Sequence, residues 1–349
     1  MEGQHMETKI YLEDQSTFND YVARHPRGSV LQTTNWGKLK TMTEWEYYPV
    51  AAVSDAGIEA AALILVRSLP GLGFRIFYSP RGPLYSSIQG LAQLVQGIKR
   101  LGRQKRAILW KMDPAIPAIN REWESFAQEH KLVQVVDDSP FSGAQPKFVM
   151  DLDITAPLQD ILANMKSKTR YNIRYAARRG VKVKKCRSKK ELNTFYALLQ
   201  ETAERDGFTV RDLTYFEGLW DHLIEHGLAQ LFLAYYEGIP LAGAIAFRLG
   251  SRAWYVYGAS SNEHRNLQAS HLMQWEMIKW AKSSGCRVYD FRGVSGEIDP
   301  QHPLYGLYRF KEGFGASLRE YVGEFDCVLN RPLYRVWQAA LKVRQRRRK

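Results

Sequence analysis

Two stretches of the chain repeat the same order of strands and turns, and this repeat constrains the fold more than any other feature. Residues 47–85 and 231–258 each contain a strand, a tight turn with Gly-Ile, a second strand, a turn and a third strand. Each stretch precedes a predicted helix and a short strand, at 88–102 and 107–111 in the first copy and at 268–284 and 287–291 in the second. The repeat predicts a duplicated α/β unit with an antiparallel meander.

The spacing within the two copies is closely matched. Gly57 and Asp113 are 56 positions apart in the first copy, and Gly238 and Arg292 are 54 positions apart in the second. Meander, helix and strand follow one another in this order in GNAT-type N-acyltransferases. Members that use acetyl-CoA carry glycines in the loop before the helix, whereas Gln268 and Ser270 stand there in this chain, and their side chains would crowd a pyrophosphate. Acetyl-CoA is therefore not expected as a cofactor.

Positive charge is concentrated in two segments that contain no acidic residue. The chain of 349 residues carries 49 Lys+Arg against 36 Asp+Glu, a formal net charge of +13. Twelve of the cations lie between residues 166 and 190, and eight lie between 331 and 349. These twenty exceed the net charge, so the rest of the chain is net negative. Basic segments on an acidic body predict a site for a polyanion rather than a generally basic protein.

The first basic segment is predicted to be one amphipathic helix, capped by Asp153 or Thr155 and ended by Gly180. Tyr171 and Tyr175 interleave with its cations, a combination that is typical of RNA-binding surfaces. A solvated basic surface helix is the alternative interpretation. The cations predicted to contact RNA are Lys168, Arg170, Arg174, Arg178 and Arg179.

The second basic segment is predicted to contain an amphipathic helix and a basic tail. Asn330 is a suitable cap and Pro332 a suitable first residue. The apolar face of this helix comprises Leu333, Val336, Trp337, Ala340 and Leu341. Three interpretations stay open: a helix docked on the body with a solvated end, contact with an RNA backbone, or peripheral contact of the tail with an anionic membrane.

Several other classes of protein lack support in the sequence. Three scattered cysteines without a Cys-x-x-Cys pair predict neither a disulfide framework nor a zinc site, and they fit a reducing cytoplasm. The longest apolar run, at 60–66, is too short to cross a membrane, and no signal-peptide pattern is present. His222 and His226 have the spacing of a zinc-peptidase motif, but no third ligand follows, so no metal is expected.

In two segments the order of residues is more specific than the composition of the chain can explain. They are KSKTRYNIRYAARRGVKV at 166–183 and VYDFRGVSGEIDPQHPLYGLYRFKEGFGASLREYVGEF at 288–325. With the residues 257–285 between them, they closely resemble the FemABX family of peptidoglycan aminoacyltransferases. The N-terminal half agrees in outline through LQTTNWGKLK at 31–40 and SPRGPLY at 79–85.

The resemblance implies an α/β (α+β) fold of two tandem GNAT-like subdomains with a cleft between them. The first subdomain would comprise residues 1–153, completed by 322–349, and the second would comprise residues 154–321. Larger members insert a long helical arm in the second subdomain, and this chain resembles the short form without it. A cytoplasmic monomer is expected, with the inner face of the membrane as a further location if the basic tail binds lipid.

The resemblance also implies a reaction. An amino acid would pass from aminoacyl-tRNA, the co-substrate, to the side-chain amine of the peptidoglycan stem peptide. The acceptor would be UDP-MurNAc-pentapeptide or lipid II. Because an ester is converted to an amide, the transfer lowers the free energy. No cofactor or metal is therefore implied.

Residue roles follow from the same resemblance. Lys311 corresponds to the family lysine at the reaction centre, where its cation would stabilise the developing charge and the carbonyl of Phe310 would orient the amine. Asp113 would meet the incoming amine as a third catalytic residue. The residues expected to bind the precursor are Lys38 and Arg211, which correspond to the pair that holds its phosphates, and their neighbours Tyr215 and Tyr257. The basic helix described above would bind the tRNA.

Two other hypotheses stay open on the sequence alone. The same chemistry could serve another acceptor, such as a peptide antibiotic. Alternatively, the chain could be a non-catalytic RNA- or membrane-binding module on a transferase fold. The presence of Lys38, Arg211 and the loop around Lys311 argues against a pure binding module, which would not need them.

Overall fold

The chain divides into two compact units. A computed structural model describes residues 6–71, 73–136, 143–296 and 298–346, with side chains up to residue 341. The first unit comprises Met1–Lys147 and Tyr321–Lys349, and the second comprises Phe148–Glu320. Each unit contains one sheet and one apolar core. Within the described ranges, no helix has both the length and the apolar character needed to cross a membrane.

Both units contain strands and helices. In chain order the strands are β1 (Glu7–Ile10), β2 (Trp45–Ser54), β3 (Gly57–Ser68), β4 (Arg75–Ser79), β5 (Leu84–Tyr85), β6 (Ala107–Met112), β7 (Val133–Val135), β8 (Phe148–Asp153), β9 (Lys182–Lys185), β10 (Ala229–Tyr236), β11 (Ile239–Leu249), β12 (Arg252–Ser260), β13 (Val288–Gly293), β14 (Ser317–Glu320) and β15 (Glu324–Val328). The helices are α1 (Gln15–Arg24), α2 (Thr34–Thr41), α3 (Ile88–Gln104), α4 (Arg121–Glu129), α5 (Leu158–Asn164), α6 (Ser167–Arg178), α7 (Leu192–Asp206), α8 (Leu213–Leu219), α9 (Ala269–Ser283), α10 (Tyr305–Gly313) and α11 (Arg331–Arg346). Short helical turns lie at Val30–Gln32, Trp220–Ile224 and Arg265–Leu267.

The sheet of the first unit has the order β1-β2-β3-β4-β6-β15-β7, and β5 pairs with β3. The strands pair antiparallel except β4 and β6, which are parallel and are joined through α3. Ser87 caps α3 by accepting a hydrogen bond from the amide of Gly90 (3.1 Å). Leu91, Leu94 and Ile98 of α3 are fully buried in the core, and each contributes roughly 2 kcal/mol through removal of apolar surface from water.

The sheet of the second unit repeats this arrangement. Its order is β14-β8-β13-β12-β11-β10-β9, with β12 and β13 parallel and joined through α9. The meander β10-β11-β12 corresponds to β2-β3-β4, and β13 corresponds to β6. Gly57 and Gly238 end the equivalent turns with φ of +119° and +84°, a region that a residue with a Cβ rarely adopts. The predicted duplication is therefore confirmed as two GNAT-like sheets.

The boundaries between the units differ slightly from the predicted ones. Residues 148–153 were expected in the first unit, but they form β8, which pairs with β13 and β14 in the second sheet. Tyr321, expected at the end of the second unit, donates its amide to the carbonyl of Lys147 (2.9 Å) in the first. Strand pairing, which connects residues far apart in sequence, decides both positions.

The helix predicted between the cap at 153–155 and Gly180 is two helices, α5 and α6, and the basic segment at 166–190 continues after α6 into β9. Met165 and Lys166 are extended, with ψ of 154° and 145°, and they separate α5 from α6. The amide of Lys166 donates to the carbonyl of Gly313 (2.9 Å), a partner that the sequence around the helix does not reveal. Asp153 accepts from the amide of Thr155 (2.8 Å), so it closes a turn instead of capping the helix.

The C-terminal helix α11 begins where it was predicted. Asn330 caps it by accepting from the amide of Leu333 (3.2 Å). Of its residues 331–341, none is fully buried: Leu333, Trp337 and Leu341 are half-buried, and Val336 is 66% exposed. Residues 347–349 of the basic tail lie outside the described residues.

Candidate active site

Lys311 is a buried cation in the second unit. It lies in α10, its side chain is 3% exposed, and its Nζ donates to the backbone carbonyls of Gly293 (2.6 Å) and Arg292 (3.2 Å). Burial lowers the pKa of Lys311 to about 7, and the nearby Asp290 carboxylate opposes this shift. The ammonium group therefore changes charge near neutral pH, which is a property expected of a functional lysine.

The carbonyls that hold Lys311 are themselves positioned by Asp290. Arg292 has a φ of +65°, a left-handed conformation that is unfavourable for a residue with a side chain. Asp290 accepts a hydrogen bond from the amide of Arg292 (2.6 Å), which fixes this conformation at the end of β13. The strained turn directs the carbonyls of residues 292 and 293 toward the lysine.

A network of buried charges surrounds Asp290. Asp151 on β8 accepts from Arg252 (2.9 Å) and from Arg319 (2.7 Å), and Arg252 lies 3.6 Å from Asp290. Burial, followed by repulsion from Asp151, raises the pKa of Asp290. Because β8, β12, β13 and β14 each supply one member, the sheet of the second unit holds the turn beneath Lys311 rigidly.

A cavity of about 450 Å³ lies in the same unit, and Phe310, the residue before Lys311, is part of its lining. The loop that precedes α9 and the first residues of α9 also line it, including Gln268 and Ser270, which replace the glycines of acetyl-CoA-binding members. Gln268 has a φ of +58°, and α9 begins directly after it. The N-terminal amides of this helix of 15 residues provide a favourable environment for an anion at the cavity.

His271 also lines this cavity, and the sequence reasoning did not identify it. Its ring packs edge-on against Phe310 at 5.0 Å, and the amide of Asn172 on α6 donates to its Nε2 (3.3 Å). Burial lowers the pKa of His271 to about 4, so the imidazole is neutral at physiological pH. A lone histidine within a helical segment carries no local signal, and its role depends on contact with a helix 99 positions away.

The basic helix α6 lies beside the cavity. Lys168, Arg174, Arg178 and Arg179 are exposed, and the rings of Tyr171 and Tyr175 are stacked at 5.7 Å. Lys166 forms an ion pair with Glu312 (2.6 Å), which ties the start of α6 to the helix that carries Lys311. The cations that were predicted to contact RNA thus lie in the same unit as the lysine and the cavity.

Arg170 has a different environment from the other cations of α6. Its guanidinium donates to the carbonyls of Ala163 (2.9 Å) and Met165, the last residues around the end of α5. It is half-buried. The described contacts of Arg170 are therefore structural, because they stabilise the break between the two helices. Contact of Arg170 with RNA stays a prediction.

Three of the predicted acceptor-binding residues lie together in the second unit. The guanidinium of Arg211 stacks on the ring of Tyr215 at 4.7 Å, and the hydroxyls of Tyr215 and Tyr257 are 3.3 Å apart. Arg211 is exposed, whereas Tyr215 is 4% exposed. Arg292 is an electrostatic neighbour of Tyr257, so the cluster continues to the turn that holds Lys311.

Lys38 and Asp113 lie in the first unit. Lys38 is exposed on α2. Asp113 is 2% exposed, and its two carboxylate oxygens accept hydrogen bonds from the amide of Arg81 (2.5 Å) and the hydroxyl of Tyr78 (2.7 Å). Burial raises the pKa of Asp113 to about 6. Its oxygens hold the loop after β4 in place, and its predicted contact with an incoming amine stays a prediction.

Gln32 supports the same loop from the other side. Its side-chain amide donates to the carbonyl of Pro80 (2.8 Å) and accepts from the amide of Leu63 (3.0 Å). A Cβ at Gly82 would lie 2.4 Å from this side chain, so only glycine fits there. These contacts explain why LQTTNWGKLK and SPRGPLY are distinctive: each supplies one half of a buried hydrogen-bonded loop.

The described residues contain no group of three or more His, Cys, Asp or Glu side chains arranged to hold a metal ion. His222 lies in the helical turn at Trp220–Ile224, and His226 is exposed beyond it.

A family model described as the FemAB family matches residues 14–238 and 228–342. The chain belongs to the FemAB family. A lipid II:glycine glycyltransferase of Staphylococcus haemolyticus (strain JCSC1435) is 30% identical over 388 residues, covering 90% of this chain and 92% of the relative. The enzyme of the same name from Staphylococcus aureus (strain USA300) is 29% identical over 402 residues, covering 94% of each.

Solved structures agree with membership of the FemAB family. The crystal structure of FemX superposes with a TM-score of 0.87 at 27% identity, covering 95% of this chain and 99% of that chain. A tandem GNAT protein from the clavulanic acid biosynthesis pathway shares the fold, with a TM-score of 0.56 at 12% identity and coverage of 93% and 99%. The fold prediction of two tandem GNAT-like subdomains is therefore confirmed.

This FemAB member is shorter than its staphylococcal relatives. The two alignments with them extend over more positions than the 349 residues of the chain, so those relatives carry inserted segments. The longest helices in the described part of the second unit have 15 residues.

Proposed function

We propose that this FemAB member is an aminoacyltransferase that moves an amino acid from aminoacyl-tRNA to the side-chain amine of the peptidoglycan stem peptide. One observation supports this proposal above all. A buried lysine with a pKa near neutrality directly follows Phe310, which lines a largely polar cavity, and a cationic, aromatic helix lies beside that cavity in the same unit. The relatives named lipid II:glycine glycyltransferase support a transfer to a peptidoglycan precursor.

The donor would bind in the second unit. The cavity beside Phe310 falls in the size range of small-ligand pockets, and it would take the terminal nucleoside with its amino acid ester. The amides at the start of α9 would face the adjoining phosphate. Lys168, Arg174 and Arg178 would hold phosphates further along the acceptor stem, and the exposed ring of Tyr171 provides a stacking surface.

The reaction needs positioning and charge stabilisation. The neutral amine of the acceptor attacks the ester carbonyl carbon, and negative charge collects on the carbonyl oxygen. The C–O bond to the ribose then breaks, the amide forms, and the proton lost by the amine is matched by the proton gained by the ribose hydroxyl. The ammonium group of Lys311 would stabilise the developing negative charge, and the carbonyl of Phe310 would orient the amine.

The acceptor would be held through its pyrophosphate. Arg211 offers a planar guanidinium already stacked on Tyr215, which favours binding of a phosphate in one orientation. Lys38 on α2 would supply a second, exposed cation. Both UDP-MurNAc-pentapeptide and lipid II carry a pyrophosphate, so the two cations suit either acceptor. Charged tRNA places the reaction on the cytoplasmic side of the membrane.

A panel of charged tRNAs, purified protein and each of the two precursors would test this proposal by mass spectrometry of the precursor. We expect one amino acid residue to be added to the stem peptide of at least one precursor, and Arg211→Gln to raise the KM for that precursor with a smaller effect on kcat. Glu217→Gln, a nearby surface change on α8, serves as the control. Absence of transfer from every charged tRNA to both precursors would disprove the proposal.

A further inference from the structure

A second cavity lies in the first unit and is lined by cations. Its volume is about 350 Å³. Its walls come from α3, the end of α4, β7, β15 and the start of α11. The cationic lining residues are Lys99, Lys131, Arg331 and Arg335. No Asp or Glu is among its described lining residues, so the cavity favours an anion.

The cations of this cavity are available for a ligand. None of the four forms an ion pair with a residue in the described part of the chain. Two carboxylates of β15, those of Glu324 and Asp326, are paired with Lys111 at 2.8 and 3.3 Å. Asp326 also accepts a hydrogen bond from Tyr334 (3.0 Å), the residue of α11 that closes the cavity floor. The positive charge of the cavity is therefore not neutralised by its surroundings.

Apolar side chains adjoin this cationic cavity at the protein surface. Val336 of α11 is 66% exposed and Val133 of β7 is 40% exposed. Trp337 is half-buried on the same helix, and tryptophan is enriched at membrane–water interfaces. An RNA backbone would match the cations but not these apolar residues, whereas a bilayer of anionic lipid presents phosphates and acyl chains together.

We infer that this cavity and α11 form a docking surface for an anionic phospholipid bilayer. A lipid phosphodiester occupies the cavity between Lys131, Arg331 and Arg335, and Val336 lies at the level of the outer acyl carbons. The segment 331–349 contains eight cations and no acid, a composition that favours long-range attraction to an anionic bilayer. This inference goes beyond the proposed function, because docking requires neither charged tRNA nor an acceptor.

Flotation of the full chain with vesicles tests the inference. One set of vesicles contains phosphatidylcholine alone, and the other contains equal parts of phosphatidylcholine and phosphatidylglycerol. We expect binding to the anionic vesicles only. Lys131→Gln, Arg331→Gln and Arg335→Gln together should weaken binding about a hundredfold, because each cation near an anionic surface contributes about a fivefold effect. Val336→Asp alone should also weaken binding.

The matched control removes the same charge from the other basic segment, with Lys168→Gln, Arg174→Gln and Arg178→Gln. This control should keep its vesicle binding. Equal losses in the two triple variants would overturn the inference, since they would show attraction by net charge alone. Binding of inorganic phosphate in the cavity without any flotation of the protein with the anionic vesicles would overturn it in favour of a soluble phosphate site. The triple variant of Lys131, Arg331 and Arg335 could instead lose affinity for tRNA and keep its vesicle binding. That result would overturn the inference in favour of RNA contact.

Discussion

The Nζ of Lys311 donates a hydrogen bond of 2.6 Å to the carbonyl oxygen of Gly293, at the point where a strand ends in a left-handed turn. This contact orients the only part of the lysine that can carry charge. Because the carbonyl is a neutral acceptor, it orients the ammonium group without neutralising it. The arrangement thus leaves a cation whose charge depends on its surroundings and on bound substrate.

The charge state of Lys311 should control the rate as a function of pH. With a pKa of about 7, the ammonium form is present below pH 7 and is lost as the pH rises through that value. Lys311→Arg keeps a permanent cation. We compare the kcat/KM of the unmodified protein with that of Lys311→Arg as a ratio. This ratio should fall about tenfold per pH unit above pH 7. Ionisation of the acceptor amine affects both proteins equally, so it cancels in the ratio.

A neutral side chain of similar size gives the complementary test. Lys311→Met should reduce kcat by about a hundredfold to a thousandfold, as expected for loss of a group that stabilises an oxyanion. Precursor binding, measured by calorimetry, should change little. A ratio that is independent of pH, together with near-normal turnover by Lys311→Met, would refute a role for the lysine cation.

Asp290 should act as a positioning residue for Lys311. Asp290→Asn removes the negative charge that raises the pKa of the lysine and weakens the bond to the Arg292 amide. We expect kcat to fall about tenfold, as for loss of one positioning contact, and the decline of kcat/KM with pH to begin at a lower pH. Asp206→Asn, an exposed change in the same unit, is the control. An unshifted pH profile would mean that Asp290 serves stability alone.

The exposed cations of α6 should determine the salt dependence of tRNA use. Lys168→Gln, Arg174→Gln and Arg178→Gln together should raise the KM for charged tRNA and lower the slope of log affinity against log salt by about 2 to 3. Arg170 is left unchanged because its guanidinium stabilises the end of α5. An unaltered salt slope would show that tRNA binds elsewhere.

The buried carboxyl of Asp113 should make stability depend on pH. Its folded-state pKa of about 6 lies above the ordinary value of 3.8, so its contribution is fully present below pH 3.8 and is lost as the pH rises through 6. The difference in unfolding free energy between the unmodified protein and Asp113→Asn should therefore decrease by about 2 kcal/mol from pH 4 to pH 7. Urea unfolding measures this difference, and a constant difference would contradict the buried, bonded geometry.

Local patterns in the sequence were enough to predict the duplicated sheet. The turns at Gly57 and Gly238 need a positive φ, and the flanking apolar strands have the period of a sheet, so both signals are contained within a few residues. The cap of α11 at Asn330 was predictable for the same reason. The role of Lys311 was predicted from the family resemblance. Its neighbours in the sequence do not reveal that two carbonyls of another element accept its hydrogen bonds.

Features that depend on contacts between distant elements were not predictable. The break between α5 and α6 forms because Lys166 bonds to Gly313, almost 150 positions away. His271 gains its neutral state from burial against Phe310 and Asn172. The placement of Asp113 beneath a loop, with both oxygens engaged, likewise depends on the packing of β4 against β6. Strand pairing and burial decide all three, and neither is a property of a short sequence window.

Transfer of a labelled amino acid from tRNA into a muramyl precursor tests the proposed reaction most directly. The purified protein is given ester-linked aminoacyl-tRNA and the precursor, without ATP or any coenzyme. We expect one new amide on the stem peptide for each ester bond lost, and no transfer from a tRNA analogue in which an amide replaces the ester. Absence of transfer from every charged tRNA, or transfer that requires ATP or acetyl-CoA, would contradict the proposed reaction.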